Sequence, residues 1–126
     1  MNHFCLDPDG VVALNARLIE DDFNVLDRGK LEAALAAPLH TFGGRLLNPS
    51  TVEQAAVLLT GLVKAHAFSD GNKRTAWVCT ATYVSLEGLH LKDIPGSEVA
   101  DFVEAVAVDR FDTDQVRTWL YEHICW

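Results

Sequence analysis

His66-Ala67-Phe68-Ser69-Asp70-Gly71-Asn72-Lys73-Arg74-Thr75 gathers more reactive chemistry than any other stretch of this 126-residue chain. It contains an imidazole, a carboxylate, a flexible glycine and the chain's only adjacent basic pair. Histidine ionises near pH 6.5 when unperturbed, at about the value that suits a general base, so His66 could accept a hydroxyl proton near neutrality. Asp70 is a hard oxygen donor of the kind that shares Mg²⁺ with phosphate groups and waters. Where a loop enters a helix, free backbone N–H groups and the positive end of the helix dipole favour an anion, and Gly71 permits close approach. Lys73 and Arg74 add full charges at that point. These are the parts of a phosphoryl- or nucleotidyl-transfer site. Singly they are ordinary: Asp-Gly-Asn is common turn chemistry, and adjacent cations usually face solvent. A Walker-type phosphate loop is excluded, because Gly71 is followed by Asn72 rather than Lys and no strand precedes it.

Helical periodicity flanks this segment on both sides. Ser50-Thr51-Val52-Glu53 has the spacing of a capping box, and Val52, Ala55, Ala56, Leu59, Leu62, Val63 and His66 then follow i, i+3, i+4, i+7 steps. His66 is therefore expected to continue a buried stripe at a helix C-terminus. From Asn72 a second helix runs to Gly88, apolar nearly all round as suits a central helix. Asp7-Pro8 opens a helix reaching about Asp22, and another spans about Asp27 to Ala36 before Pro38. Ser97 is expected to cap a helix bearing Val99, Phe102, Val103 and Val106, and Asp112-Thr113 opens a last one with Val116, Trp119, Leu120 and Ile124. Trp77 and Trp119 fall on apolar stripes and are expected in the core. The Gly43-Gly44 pair between Thr41-Phe42 and Arg45-Leu46 reads as the turn of a short hairpin, the one β-like stretch expected. The fold predicted is all-α, a compact bundle of about six helices with a small β-hairpin flap. With no repeat, linker or low-complexity tract, residues 1–126 are expected to form a single domain.

The reactive segment resembles the signature of the Fic/Doc family, His-x-Phe-x-[Asp/Glu]-Gly-Asn-[Gly/Lys]-Arg, through His66, Phe68, Asp70, Gly71, Asn72 and Arg74. The helical pattern on both sides is similar over most of the chain. AMP-transferring Fic enzymes typically carry Gly after the Asn and a second Arg three residues beyond the first. Lys73 and Trp77 stand at those positions here and resemble the Doc branch, the compact toxins of toxin–antitoxin pairs.

That resemblance implies an ATP-dependent protein kinase that transfers the γ-phosphate to a Thr/Ser hydroxyl of translation elongation factor Tu and halts protein synthesis. The nucleotide would lie reversed relative to AMP-transferring relatives, with Lys73 filling space where phosphates would otherwise run. By the same resemblance His66 is the general base, Asp70 the Mg²⁺ ligand, Gly71 and Asn72 the anion site, and Lys73 and Arg74 the clamps on ATP phosphates, with Phe68 anchoring the loop. Thr41, Phe42, Gly43, Gly44, Arg45 and Leu46 correspond by position to the family's target-docking flap, where backbone pairing tolerates varied sequences. The implied partner is a Phd-like antitoxin whose tail folds as a helix against the toxin. Two other readings stand beside this one: an AMP transferase acting on a protein hydroxyl, which the missing Gly and second Arg count against, and a catalytically inactive binding module.

Composition bounds the partners. Ten basic against 18 acidic residues leave a net charge of -8, which argues against direct nucleic-acid binding or an anionic membrane surface. The charge is uneven: residues 1–49 carry four basic and seven acidic groups (-3), 50–92 four and three (+1), and 93–126 two and eight (-6). Only the segment holding the candidate site is positive. The acidic clusters Glu20-Asp21-Asp22 and Asp109, Asp112 and Asp114 sit at helix ends and read as caps or solvated faces rather than metal ligands. His3, His40, His90 and His123 have no ligand spacing. Cys5, Cys79 and Cys125 form neither a disulfide framework nor a zinc knuckle, Asp7 and Pro8 interrupt any signal core, and no apolar run would span a bilayer. A cytoplasmic location is expected.

Overall fold

The computed structural model describes residues 3–126. Among them are six α-helices, α1 (Pro8–Ile19), α2 (Arg28–Ala36), α3 (Thr51–Ala65), α4 (Asn72–Leu86), α5 (Gly96–Ala107) and α6 (Thr113–Glu122), and four two-residue strands. The predicted all-α bundle with a small hairpin is what the chain forms.

Local chemistry explains most helix starts. The Asp7 carboxylate accepts from the Gly10 N–H, with Pro8 in the first turn of α1, and Asp27 accepts from the Lys30 N–H to open α2. Asp112 and Gln115 form a reciprocal capping box at α6. At α3 the Ser50 hydroxyl accepts from the Glu53 N–H but donates to the Glu53 carboxylate, so Glu53 grips the hydroxyl instead of the cap's backbone. Ser97 does not cap α5. That helix begins at Gly96 behind Pro95, with no side-chain cap. α1 stops at Ile19, three residues before the expected end, because Glu20 turns left-handed at φ 57°.

The bundle centres on α3, where Ala55, Ala56, Leu58 and Leu59 are fully buried and α2, α4, α5 and α6 pack around it. The central place expected for α4 falls to α3; α4 lies along it with Lys73, Arg74, Thr82, Ser85 and Leu86 exposed. Trp77 and Trp119 are half-buried, in an aromatic stack between α4, α5 and α6 in which Trp119 lies flat on Phe102 with centroids 3.7 Å apart. His123 covers the other face of Trp119 and meets Glu98 at 3.0 Å.

The flap forms as expected. β1 (Thr41–Phe42) and β2 (Arg45–Leu46) pair antiparallel across Gly43 and Gly44, whose φ of 59° and 78° suit the two-residue turn of a right-twisted hairpin. A second ladder was not expected: β3 (His90–Leu91) pairs with β4 (Ile124–Cys125). Two-residue strands are too short to express an alternating pattern, so the flap is not the only β structure.

Candidate active site

The site is built on a sharp exit from α3. His66 ends that helix in the left-handed conformation, φ 48° and ψ 43°, and its side chain is exposed. It does not continue the buried stripe: the left-handed backbone rotates it off the helix face. Beyond it Ala67 and Phe68 turn inward and are buried, which anchors the loop in the core. Asn72 locks the same loop. Its side-chain amide donates to the Phe68 carbonyl at 2.9 Å while its oxygen accepts from the Phe68 N–H at 3.1 Å.

An extended strip from the α1–α2 connection braces the loop from the other side. Leu26 and Asp27 N–H groups donate to the Ala67 carbonyl at 2.7 and 3.2 Å, and the Ser69 N–H donates to the Asn24 carbonyl at 2.9 Å. Val25 and Phe68 form an antiparallel bridge between them. Gly71 then takes φ 71° where the loop passes α1; a Cβ there would lie 2.7 Å from Ile19 Cγ2. Glycine is thus required both by the backbone and by the space. The Thr75 N–H donates to the Gly71 carbonyl at 2.9 Å, and the N–H groups of Asn72, Lys73 and Arg74 occupy the first turn, where a helix supplies no partners.

Six predicted residues, His66, Asp70, Gly71, Asn72, Lys73 and Arg74, line one cleft of about 310 Å³ together with Val63, Ser69 and Ala107. Asp70 is its only carboxylate, and one of its oxygens accepts from the Gly71 N–H at 2.8 Å. The described residues contain no group of three or more ligands fit to cage a metal. A single oriented carboxylate beside a cationic helix start suits Mg²⁺ held jointly with phosphate and water. The flap residues Thr41 to Leu46 are exposed and do not line this cleft.

Two features escaped the sequence. The Lys73 ammonium is paired with the Glu104 carboxylate of α5, so the cation is held at the cleft edge by a residue 31 positions away. Beside the cleft runs a groove of about 570 Å³ between α1, α4 and α5, with Leu18, Trp77, Val78, Val99 and Val103 along it and Lys73, Arg74 and Glu104 at one edge. Lys73 and Arg74 belong to both cavities. Arg74 Nη1 lies 3.5 Å from the Leu18 carbonyl. Neither feature leaves a local signal, since each depends on where α5 packs.

A bundle that presents this motif on the turn between its central helix α3 and the α4 packed along it defines a known class. The chain belongs to the Fic/DOC family, whose sequence pattern matches residues 5–84. It is also 34% identical over 112 residues to "Toxin Doc" of Mycolicibacterium smegmatis (strain ATCC 700084 / mc(2)155), a match covering 88% of this chain and 86% of that protein. Among the described residues, no helix is long and apolar enough to cross a membrane.

Proposed function

We propose that the chain is a Doc-like toxin and an ATP-dependent protein kinase, transferring the γ-phosphate of ATP to a Thr/Ser hydroxyl of elongation factor Tu and so stopping protein synthesis. The observation that carries this reading is Lys73: a cation stands after Asn72 where AMP-transferring relatives have glycine, and it lines the cleft with His66 and Asp70. Likeness to a protein named as a Doc toxin, and membership of a family whose members are typically transferases, support the same choice.

In this reading His66 accepts the proton of the attacking hydroxyl, for which its exposed position leaves access. The first-turn N–H groups of α4, with Lys73 and Arg74, stabilise the charge that builds on the transferred phosphoryl group. Asp70 would hold Mg²⁺, which when bound neutralises phosphate charge. The exposed flap backbone would receive the target as an added strand. A Phd-like antitoxin is the proposed partner, its tail helix seated in the apolar groove between α1, α4 and α5. An occupant there would cover Lys73 and Arg74 and thereby block the cleft. The acidic balance supports neither nucleic acid nor membrane as partner, and the cytoplasm, where elongation factor Tu works, is the proposed compartment.

Incubation of the purified chain with elongation factor Tu and ATP labelled at the γ- or the α-phosphate tests the reaction. Label transferred from the γ position only is expected; transfer of the α label would establish AMP transfer instead. No transfer from either, with growth inhibition unchanged by His66→Ala, would leave a binding module.

A further inference from the structure

Asn15 sits on the core-facing side of α1, between Val11 and Leu18, and is 0% exposed. A buried carboxamide costs free energy unless every polar atom finds a partner, and an apolar residue would serve simple packing better. Every polar atom of Asn15 is engaged. Nδ2 donates to the Asp70 carbonyl at 2.9 Å and to the Thr75 hydroxyl at 2.9 Å, while Oδ1 accepts from Asn24 Nδ2 at 3.1 Å. Asn24, 3% exposed, also donates to the Val12 carbonyl, and its own carbonyl takes the Ser69 N–H. One buried amide pair therefore ties α1, the α1–α2 connection, the loop at Ser69–Asp70 and the first turn of α4.

We infer that Asn15 is a positioning residue for the transfer reaction, fixing the main chain of Asp70 relative to the start of α4. The inference rests on the reading of the Asp70 cleft as the transfer site. Its physical content is rigidity. Asp70 lines the cleft from the exposed end of the loop, beyond the buried Ala67 and Phe68, and Gly71, with no side chain of its own, adds only backbone hydrogen bonds to the turn. The Asn15 amide grips the Asp70 carbonyl from behind and the Thr75 hydroxyl one turn into α4, so the carboxylate and the helix N–H groups keep one spacing. A misplacement of about 1 Å in such a group can cost two orders of magnitude in rate.

The test compares Asn15→Ala with Val11→Ala, a cavity in the same helix at a residue that lines a pocket with Cys79 and Thr82, farther along α4. Asn15→Ala is expected to lower kcat by about 30-fold or more, to raise the Mg²⁺ concentration for half-maximal rate, and to leave KM for the protein target within about twofold. Val11→Ala should leave all three near wild type even where its thermal midpoint falls as far. Equal kcat for Asn15→Ala and wild type, or an equal loss in Val11→Ala, would overturn the inference. Thr75→Val, which removes one partner and keeps the fold's volume, serves if Asn15→Ala does not fold, with a smaller loss in the same sense expected. Amide hydrogen exchange separates this idea from the kinase reading, because it needs no activity. In Asn15→Ala, exchange at Phe68, Ser69 and Gly71 should quicken by about tenfold while that of α3 is unchanged. Unchanged exchange at those amides sinks the inference whatever the wild-type chain catalyses.

Discussion

At the scale of single residues the candidate cleft was legible wherever its parts are contiguous. His66, Asp70, Gly71, Asn72, Lys73 and Arg74 announced themselves by type and order, and all six line one cleft. Asn15, Glu104 and Ala107 did not, because they arrive from α1 and α5 through tertiary packing, and a buried Asn or a surface Glu carries no mark of what it will touch. His66 was misread in position: periodicity put it on a buried stripe, whereas the helix ends one residue earlier and left-handed backbone turns it outward. Two substitutions separate chemistry from scaffold here. His66→Ala is expected to reduce transfer by at least about 100-fold with the circular dichroism spectrum unchanged, since the side chain is exposed. Gly71→Ala should instead cost stability, about 1–3 kcal/mol by denaturant titration, because it forces a Cβ against Ile19 and Asn15 at φ 71°.

At the scale of elements, caps and turns were legible and packing roles were not. Asp7-Pro8, Ser50 and Asp112 marked helix starts, and Gly43-Gly44 marked the hairpin turn, because each is a local interaction within four residues. The Pro95 start of α5 and the β3–β4 ladder lack such signals: one has no side-chain cap and the other pairs segments far apart in sequence. The flap offers a clean test of element function. No atom lies within 4 Å of a Cβ added at Gly43 or Gly44, so Gly43→Val and Gly44→Val strain only the turn. Together they should raise KM for the protein target by about tenfold while the affinity for ATP, read by calorimetry, stays the same. The groove admits a parallel test: Val99→Asp places a charge on its apolar wall and should weaken binding of a Phd-like antitoxin tail by roughly 1–3 kcal/mol.

For the molecule as a whole, the described core is one cluster of buried residues drawn from all six helices, with β4 and the site loop joining it. Two thiols belong to it or border it. Burial pushes both Cys5 and Cys79 up to about 12 from the usual 9.0. Between those limits the folded chain keeps protons that the unfolded chain releases, so stability falls as pH rises, by up to about 1.4 kcal/mol per pH unit for each thiol. Urea midpoints at pH 8 and pH 10 should differ accordingly, and the Cys5→Ala/Cys79→Ala pair should flatten the dependence. At pH 8 a thiol reagent should modify exposed Cys125 at once, half-buried Cys5 more slowly and buried Cys79 only on unfolding. The charge division also survives folding: the cleft lies on the one segment of positive sum, with Glu104 of the acidic last segment placed against its lysine.

The late position of several core residues bears on synthesis. Val116, Leu120 and Ile124 are fully or almost fully buried, α6 packs against α3, and β4 closes on the strand that follows α4. A ribosome makes His66 and the loop after it well before these residues emerge, and a chain builds its packed state only when the partners are present. The motif thus exists on the nascent chain before α6 and β4 complete the packing around α3 and the strand after α4. On the reading proposed above, a chain that halts translation would reach its packed state only once α6 and β4 have emerged.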